Sequence, residues 1–141
     1  MHIFYTAKVT AGGGRSGKIE SSNGALDLAL SMPKALGGDG KENATNPEEL
    51  FAAGYAACFD SALNLVARQL RKKIDSKVVA EVSIGKDPAD GGFKLASVLT
   101  VLINGVSLEE AEELVKKAHG VCPYSKATGG NIEVELRTEL M

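Results

Sequence analysis

Apolar and polar positions alternate along residues 3–10, where β-branched and aromatic side chains are frequent, and the pattern predicts a strand. The run AGGGRSG at residues 11–17 interrupts it. Residues 18–22 and 25–30 flank Asn23-Gly24, a pair suited to a two-residue hairpin, so the first thirty residues predict a small antiparallel sheet. Residues 31–45 show no period and read as a loop that covers a site or a partner. At Asn46-Pro47-Glu48-Glu49 the helix-start signals coincide: Asn as N-cap, Pro at the first helical position, Glu three residues after the cap. Leu50, Phe51, Gly54, Ala57, Cys58, Ser61, Ala62 and Leu65 then recur at three- and four-residue intervals, and Arg68, Arg71, Lys72 and Lys73 complement the dipole of a long helix. Its apolar stripe is thin, which permits close packing against another helix. Residues 78–85 and 93–103 predict two strands joined through KDPADGG. Ser107 and Glu110 form a capping box for a second helix that Gly120 is expected to end. Cys122-Pro123-Tyr124 then predicts a turn, and residues 131–136 a closing strand. No repeat or linker divides residues 1–141, and the order of elements predicts one α+β domain.

Composition narrows the function classes. A chain of 141 residues buries roughly 68% of its unfolded surface, enough for one sizeable core. The net charge is −2, with 16 basic and 18 acidic residues interspersed, so no basic stripe recommends nucleic acid or an anionic membrane as partner. The start MHIFYTAKVT lacks a signal peptide's charged and apolar regions, and no apolar run reaches the ~20 residues of a spanning helix, which predicts a soluble cytoplasmic chain. Two cysteines without a CxxC spacing, in a reducing compartment, point to catalysis or redox sensing rather than a staple.

Cys58 lies in an apolar helix, where desolvation disfavours the thiolate, so the chemistry needs a cation. Arg15, among Gly12, Gly13, Gly14 and Gly17, is the candidate, with Glu48 to orient it through a bidentate pair. Glu48 and Cys58 are ten residues apart, roughly 15 Å along a straight helix. Three arrangements remain open: Arg15 spans the gap, the helix breaks near Gly54, or Glu48 comes from a second subunit. The thin Ala/Gly stripe favours the last, a homodimer with interfacial sites. Cys122 is the candidate resolving thiol, condensing with a Cys58 sulfenic acid to a disulfide, although spacing does not show that the sulfurs meet. Leu50, Phe51, Phe93 and Tyr124 are the candidate substrate-binding wall, and an apolar wall favours an alkyl hydroperoxide over hydrogen peroxide.

Plainer readings stand beside these. Cys58 alone suits a small buried hydrophobe, Arg15 a solvated loop charge, and Glu48 a helix-dipole partner. His119 suggests a zinc site or a Cys58–His119 dyad, but two His and two Cys are too few for the first, and a helix-buried cysteine suits no bulky peptide. His119 reads as a helix-end residue. The glycine-rich turn lacks a P-loop Lys-Ser/Thr.

Four segments, YTAKVTAGGGRSG, TNPEELFAAGYAACF, GGFKLASVLTV and AHGVCPYSKATGGNIEVEL, together resemble the organic hydroperoxide resistance proteins, Ohr, of the wider OsmC-like group, over essentially the whole chain. The resemblance implies a thiol peroxidase acting on organic hydroperoxides, including those of fatty acids. In it Cys58 is peroxidatic, Cys122 resolving, and Arg15 and Glu48 activate the thiolate. It further implies no bound cofactor or metal, with dihydrolipoamide or a lipoylated protein as reductant. The implied fold is α+β and OsmC/Ohr-like, with antiparallel sheets packed on a long central helix in an intertwined homodimer. The family's PYSNATRGN reads PYSKATGGN here, with Lys126 and Gly129 as departures, and Glu49 stands where Gln is common. An OsmC-type peroxidase of broader range and a non-catalytic redox sensor are the alternatives, which a peroxide panel and multiple turnover respectively distinguish.

Overall fold

The Oδ1 of Asn46 accepts the Glu49 N–H at 2.8 Å and opens helix α1, Pro47–Gln69, in the computed structural model, which describes residues 1–141. The cap is one-sided, because the Glu49 carboxylate accepts the Thr45 hydroxyl at 2.8 Å instead of reaching back to the Asn46 N–H. The helix runs unbroken through Gly54, which removes a break there from the open arrangements. By length and composition α1 is long and apolar enough to cross a membrane, against the expectation that no segment reaches that length. Its largest apolar side chains are nonetheless taken up by the protein core, with Tyr55, Phe59 and Leu63 fully buried.

The buried face of α1 is not the expected stripe. Tyr55, Phe59, Ala62, Leu63, Val66 and Ala67 are buried, whereas Phe51, Gly54 and Cys58 are half-buried, and Ala53, Ala57, Ser61 and Leu65 are exposed. Tyr55, Phe59, Leu63 and Val66 remove more apolar area from water than alanines do and take deep positions, with Ala62 and Ala67 filling the space beside them.

The chain forms two compact units, Met1–Leu50 and Phe51–Met141. In the first, β1 (Val9–Gly12), β2 (Lys18–Ser21) and β3 (Asp27–Ala29) form an antiparallel sheet in that order. The strand expected over residues 3–10 is present only at Val9 and Thr10, and Ile3, Phe4 and Tyr5 are exposed. Alternation specifies two faces, but a strand forms only where a neighbour offers its ladder. The β2–β3 hairpin also turns more widely than two residues. Asn23 Oδ1 accepts from the Ser21 hydroxyl and the Ala25 N–H, and Ser21 N–H bonds the Leu26 carbonyl at 2.8 Å, so residues 22–25 make the loop. Residues 31–45 form the expected loop, containing one 3₁₀ turn, Lys34–Leu36.

The second unit carries β4 (Asp75–Lys86), β5 (Phe93–Asn104), α2 (Leu108–Val121), α3 (Pro123–Thr128) and β6 (Val134–Leu140). Strands β4 and β5 pair antiparallel from Asp75↔Asn104 to Lys86↔Phe93, closed by the Asp87 N–H to Gly92 carbonyl bond at 2.7 Å. Strand β6 pairs parallel with β5, Ser97 opposite Val134, which corrects the expectation of antiparallel sheets only. The two helices between them supply the crossover that a parallel pair requires. Leu99, Val101 and Ile103 on one face of β5 join Tyr55, Phe59 and Leu63 of α1 and Ala111, Leu114 and Ala118 of α2 in one core. Each large member contributes about 1.5–3 kcal/mol of transfer free energy.

Helix α2 begins with the expected capping box between Ser107 and Glu110. It continues past Gly120, because the Cys122 N–H still bonds the Ala118 carbonyl at 2.9 Å. Residues 122–124 are not a turn: Cys122 ends α2 and caps α3, with Pro123 at its first position, where no N–H is needed.

Candidate active site

The two thiols meet. Cys122 Sγ lies 3.6 Å from Cys58 Sγ, and both cysteines are free. Their settings are the reverse of the sequence expectation, since Cys58 is half-buried and Cys122, at 1% exposure, is in the core. Between α2 and α3 it has extended backbone angles, φ −68° and ψ 122°, which aim its side chain toward α1.

Burial pushes the Cys58 thiol above its ordinary pKa; the Tyr124 N–H pulls it back, and Cys122 raises it further. That N–H is available because the first amides of a helix have no carbonyl partner in their own turns. Within Phe51–Met141 none of the groups acting on the thiol is a cation. A raised pKa makes the isolated thiol a poor nucleophile. Gly54, one turn before Cys58, determines how near Tyr124 lies: a Cβ there would sit 2.9 Å from Tyr124 Cζ and 3.1 Å from its Cε2. Phe51, Tyr55 and Tyr124 form an aromatic cluster, with ring centroids 6.1, 6.1 and 5.7 Å apart.

Arg15 occupies a 3₁₀ turn, Gly14–Ser16, with Gly13 and Gly14 both at positive φ, 80° and 60°. Any side chain at Gly13 would place its Cβ 2.7 Å from Gly17 Cα, so the glycines are what allow so tight a turn. From it the guanidinium reaches Glu48 with two parallel bonds, Nη1 to Oε2 at 2.9 Å and Nη2 to Oε1 at 2.6 Å. This hydrogen bonding holds the Glu48 carboxyl below its ordinary pKa against a burial effect of opposite sign, and raises Arg15. Glu49, bonded to Thr45, stays outside the pair.

The four residues expected to form one substrate wall divide. Phe51 and Phe93 line a cavity of about 370 Å³ together with Leu95, Thr128, Asn131 and Ile132. Tyr124 belongs to the aromatic cluster, and Leu50 is half-buried in the first unit; neither lines this cavity. The sequence reading missed a buried set of hydroxyls. Tyr55 Oη lies 2.9 Å from Ser125 Oγ and 3.3 Å from Thr128 Oγ1, and His119 Nδ1 lies 2.9 Å from Ser125 Oγ. Tyr55 and Ser125 are 70 residues apart, and no local pattern marks a lone serine as the hub of such a set. His119 is thus in the last turn of α2, as expected, but bonded to Ser125 rather than to Cys58. Of the departures, Lys126 is exposed and Gly129 ends α3 by donating its N–H to the Ser125 carbonyl at 2.8 Å. No group of three or more His, Cys, Asp or Glu side chains is placed to hold a metal.

The family model for OsmC-like protein matches residues 38–137. Organic hydroperoxide resistance protein OhrA of Bacillus subtilis is 60% identical over 132 residues, 94% of each chain. A crystal structure of an organic hydroperoxide resistance protein from Elizabethkingia anophelis, with crystallant-derived thiocyanate bound, matches with a TM-score of 0.94 at 50% identity over all of both chains. That of OhrB of Bacillus subtilis matches with a TM-score of 0.88 at 50% identity, over 96% of this chain and 98% of the other. The chain belongs to the OsmC-like family, within its organic hydroperoxide resistance proteins.

Proposed function

We propose that the protein is a cysteine-based thiol peroxidase that reduces organic hydroperoxides, fatty acid hydroperoxides among them, to alcohols. The observation that carries this reading is the pair of free sulfurs 3.6 Å apart on different helices. The Cys58 thiolate attacks the O–O bond of ROOH, the released alkoxide takes a proton and leaves as ROH, and Cys58 becomes a sulfenic acid. The Cys122 sulfur then displaces hydroxide from it, closing a Cys58–Cys122 disulfide and releasing water. A dihydrolipoyl group, free or on a lipoylated protein in a reducing cytoplasm, exchanges with that disulfide, returns both thiols and leaves as the cyclic lipoyl disulfide. No resident cofactor takes part.

Cys58 needs a cation, and Arg15 held by Glu48 is the proposed source. Glu48 stays about 15 Å along the axis of an unbroken α1 from the Cys58 of its own chain, so the pair serves the thiolate of a second copy. Two observations support such a homodimer: Ala53, Ala57, Ser61 and Leu65 form an exposed row at four-residue spacing on α1, and Ile3, Phe4 and Tyr5 are exposed with nothing to cover them. Phe51, Phe93, Leu95 and Ile132 give the cavity an apolar side that favours an alkyl tail, while Asp87 and Lys94 also line it.

A dihydrolipoamide-coupled assay with cumene hydroperoxide tests the proposal. Many turnovers are expected, none for Cys58→Ser, and oxidation without disulfide for Cys122→Ser. Consumption of one equivalent followed by arrest, with dihydrolipoamide present, would identify a redox sensor instead. Catalytic efficiency with hydrogen peroxide at or above that with cumene hydroperoxide would remove the organic preference, and a monomer by light scattering at micromolar concentration would remove the dimer.

A further inference from the structure

We propose that Tyr55, Ser125 and His119 are positioning residues that hold Cys122 against Cys58, and so determine whether a Cys58 sulfenic acid closes to the disulfide or is oxidised further. The inference rests on the thiol peroxidase reading above and concerns the control of that same site.

Cys122 lies at the joint of two helices, ending α2 and capping α3, so the direction of its sulfur follows the angle between them. One hydroxyl fixes that angle. His119 in the last turn of α2 bonds Ser125 in α3 across the joint, and the same Ser125 Oγ bonds Tyr55, three residues before Cys58 on α1. The three helices that carry the two thiols are therefore tied at Ser125, which is 3% exposed.

The protons balance within this set. The Thr128 hydroxyl donates to the Ser125 carbonyl at 3.2 Å, Tyr55 donates to Ser125 Oγ, and Ser125 donates to an unprotonated His119 Nδ1. With Nδ1 protonated the chain reverses: His119 donates to Ser125, Ser125 to Tyr55, and Tyr55 to Thr128 Oγ1. A buried network satisfied in both states is rigid, and removing one member leaves the others short of a partner.

Two reactions compete for the sulfenic acid. Closing the disulfide brings the sulfurs from 3.6 Å to a bond of ~2.05 Å and expels water, at a rate set by how well Cys122 is held. The competing path is bimolecular: a second ROOH transfers one oxygen to Cys58–SO⁻, giving the sulfinate Cys58–SO₂⁻ and ROH. A loosened joint slows the first path and leaves the second unchanged.

Ser125→Ala removes the hub, and Tyr55→Phe removes one arm while retaining the ring that packs in the core. In both, the sulfinate fraction formed per oxidation in excess cumene hydroperoxide, a ratio that does not depend on the rate of the first oxidation and is read by mass spectrometry, is expected to rise about tenfold, the loss typical of one buried hydrogen bond. The effective concentration of the Cys58–Cys122 pair against glutathione, measured without peroxide, is expected to fall by a similar factor. Values within twofold of the parent for both variants in both measurements would overturn the proposal. Should the parent itself fail to form a sulfenic acid, the peroxidase reading fails, and the glutathione measurement alone decides whether these residues position Cys122.

Discussion

Replacing Gly54 with alanine tests the packing around Cys58, because two effects of opposite sign meet there. In an ordinary helix interior the change stabilises by about 1 kcal/mol, since glycine's backbone freedom is lost on folding. Here the new Cβ would lie 2.9 Å from Tyr124 Cζ and 3.1 Å from Cε2, against a comfortable carbon–carbon separation of about 3.7 Å. The Tyr124 ring belongs to α3 and packs against Phe51 and Tyr55, so relief requires a shift of somewhat under 1 Å by the ring and the helix turn that bears it. Overpacking of this kind costs about 1–3 kcal/mol, so the net expectation is a destabilisation of about 0–2 kcal/mol. The same shift draws the Tyr124 N–H from the Cys58 sulfur, and that N–H is what lowers a thiol pKa already raised by burial. Urea unfolding at fixed protein concentration reads the first effect, and the pH profile of Cys58 alkylation in a Cys122→Ser background reads the second, moving to higher pH in Gly54→Ala. Combination with Tyr124→Ala restores the helix-propensity gain, because the clash partner is gone. A Gly54→Ala protein stabilised by the full ~1 kcal/mol with an unmoved alkylation profile would refute the reasoning.

Three further outcomes follow from named contacts. The depressed pKa of Glu48 means that its pairing with Arg15 contributes stability that is complete above the ordinary carboxylate pKa of about 4.3 and is lost as pH falls through the lower folded value. Glu48→Gln is therefore expected to shift the urea midpoint by the equivalent of about 0.5–1 kcal/mol at pH 7, discounted for the partial exposure of the pair, and by nothing once pH is well below 4. Phe93→Ala, at a side chain 79% exposed on the cavity wall, leaves stability nearly unchanged and raises KM for cumene hydroperoxide about tenfold if some 50 Å² of substrate contact is lost; KM for hydrogen peroxide stays put. Ser107→Ala breaks the capping box of α2 and lowers stability by about 1 kcal/mol, measured by urea unfolding, without affecting turnover.

Features set by neighbouring residues were readable in the chain. Asn46-Pro47 and Ser107 with Glu110 open α1 and α2 where their caps predict, and the Asp87–Gly92 turn joins β4 to β5 as its composition demands. What depended on distant partners was not. The parallel pairing of β6 has no signature in its own residues, and residues 3–7 alternate like a strand without finding one to pair with. At the site, the pairing of Arg15 with Glu48 followed from charge chemistry, and the pair is bidentate as expected. The burial of Cys122 and the hydroxyl hub at Ser125 did not, because both arise only when three helices converge.

That same convergence leaves the Cys58 thiol raised by burial with no cation of its own unit acting on it, while a ready cation pair stands near the start of α1. If Arg15 acts across a twofold interface, the two halves of the chemistry are separable by mixing chains. A Cys58→Ser chain retains Arg15 and lacks the nucleophile; an Arg15→Ala chain retains the nucleophile and lacks the cation. Alone, each homodimer has two defective sites. Unfolded together in equal amounts and refolded, half of the dimers are mixed, and in each of these one site combines a good Cys58 with the other chain's good Arg15, so about one half of one half, or a quarter, of the parent activity returns. An Arg15 that serves its own chain predicts no return at all, since every intact Cys58 then lies in a chain without its arginine. Dihydrolipoamide-coupled turnover of the refolded mixture, set against each variant refolded alone, separates recovery to about a quarter from none, and no recovery would remove the interfacial site.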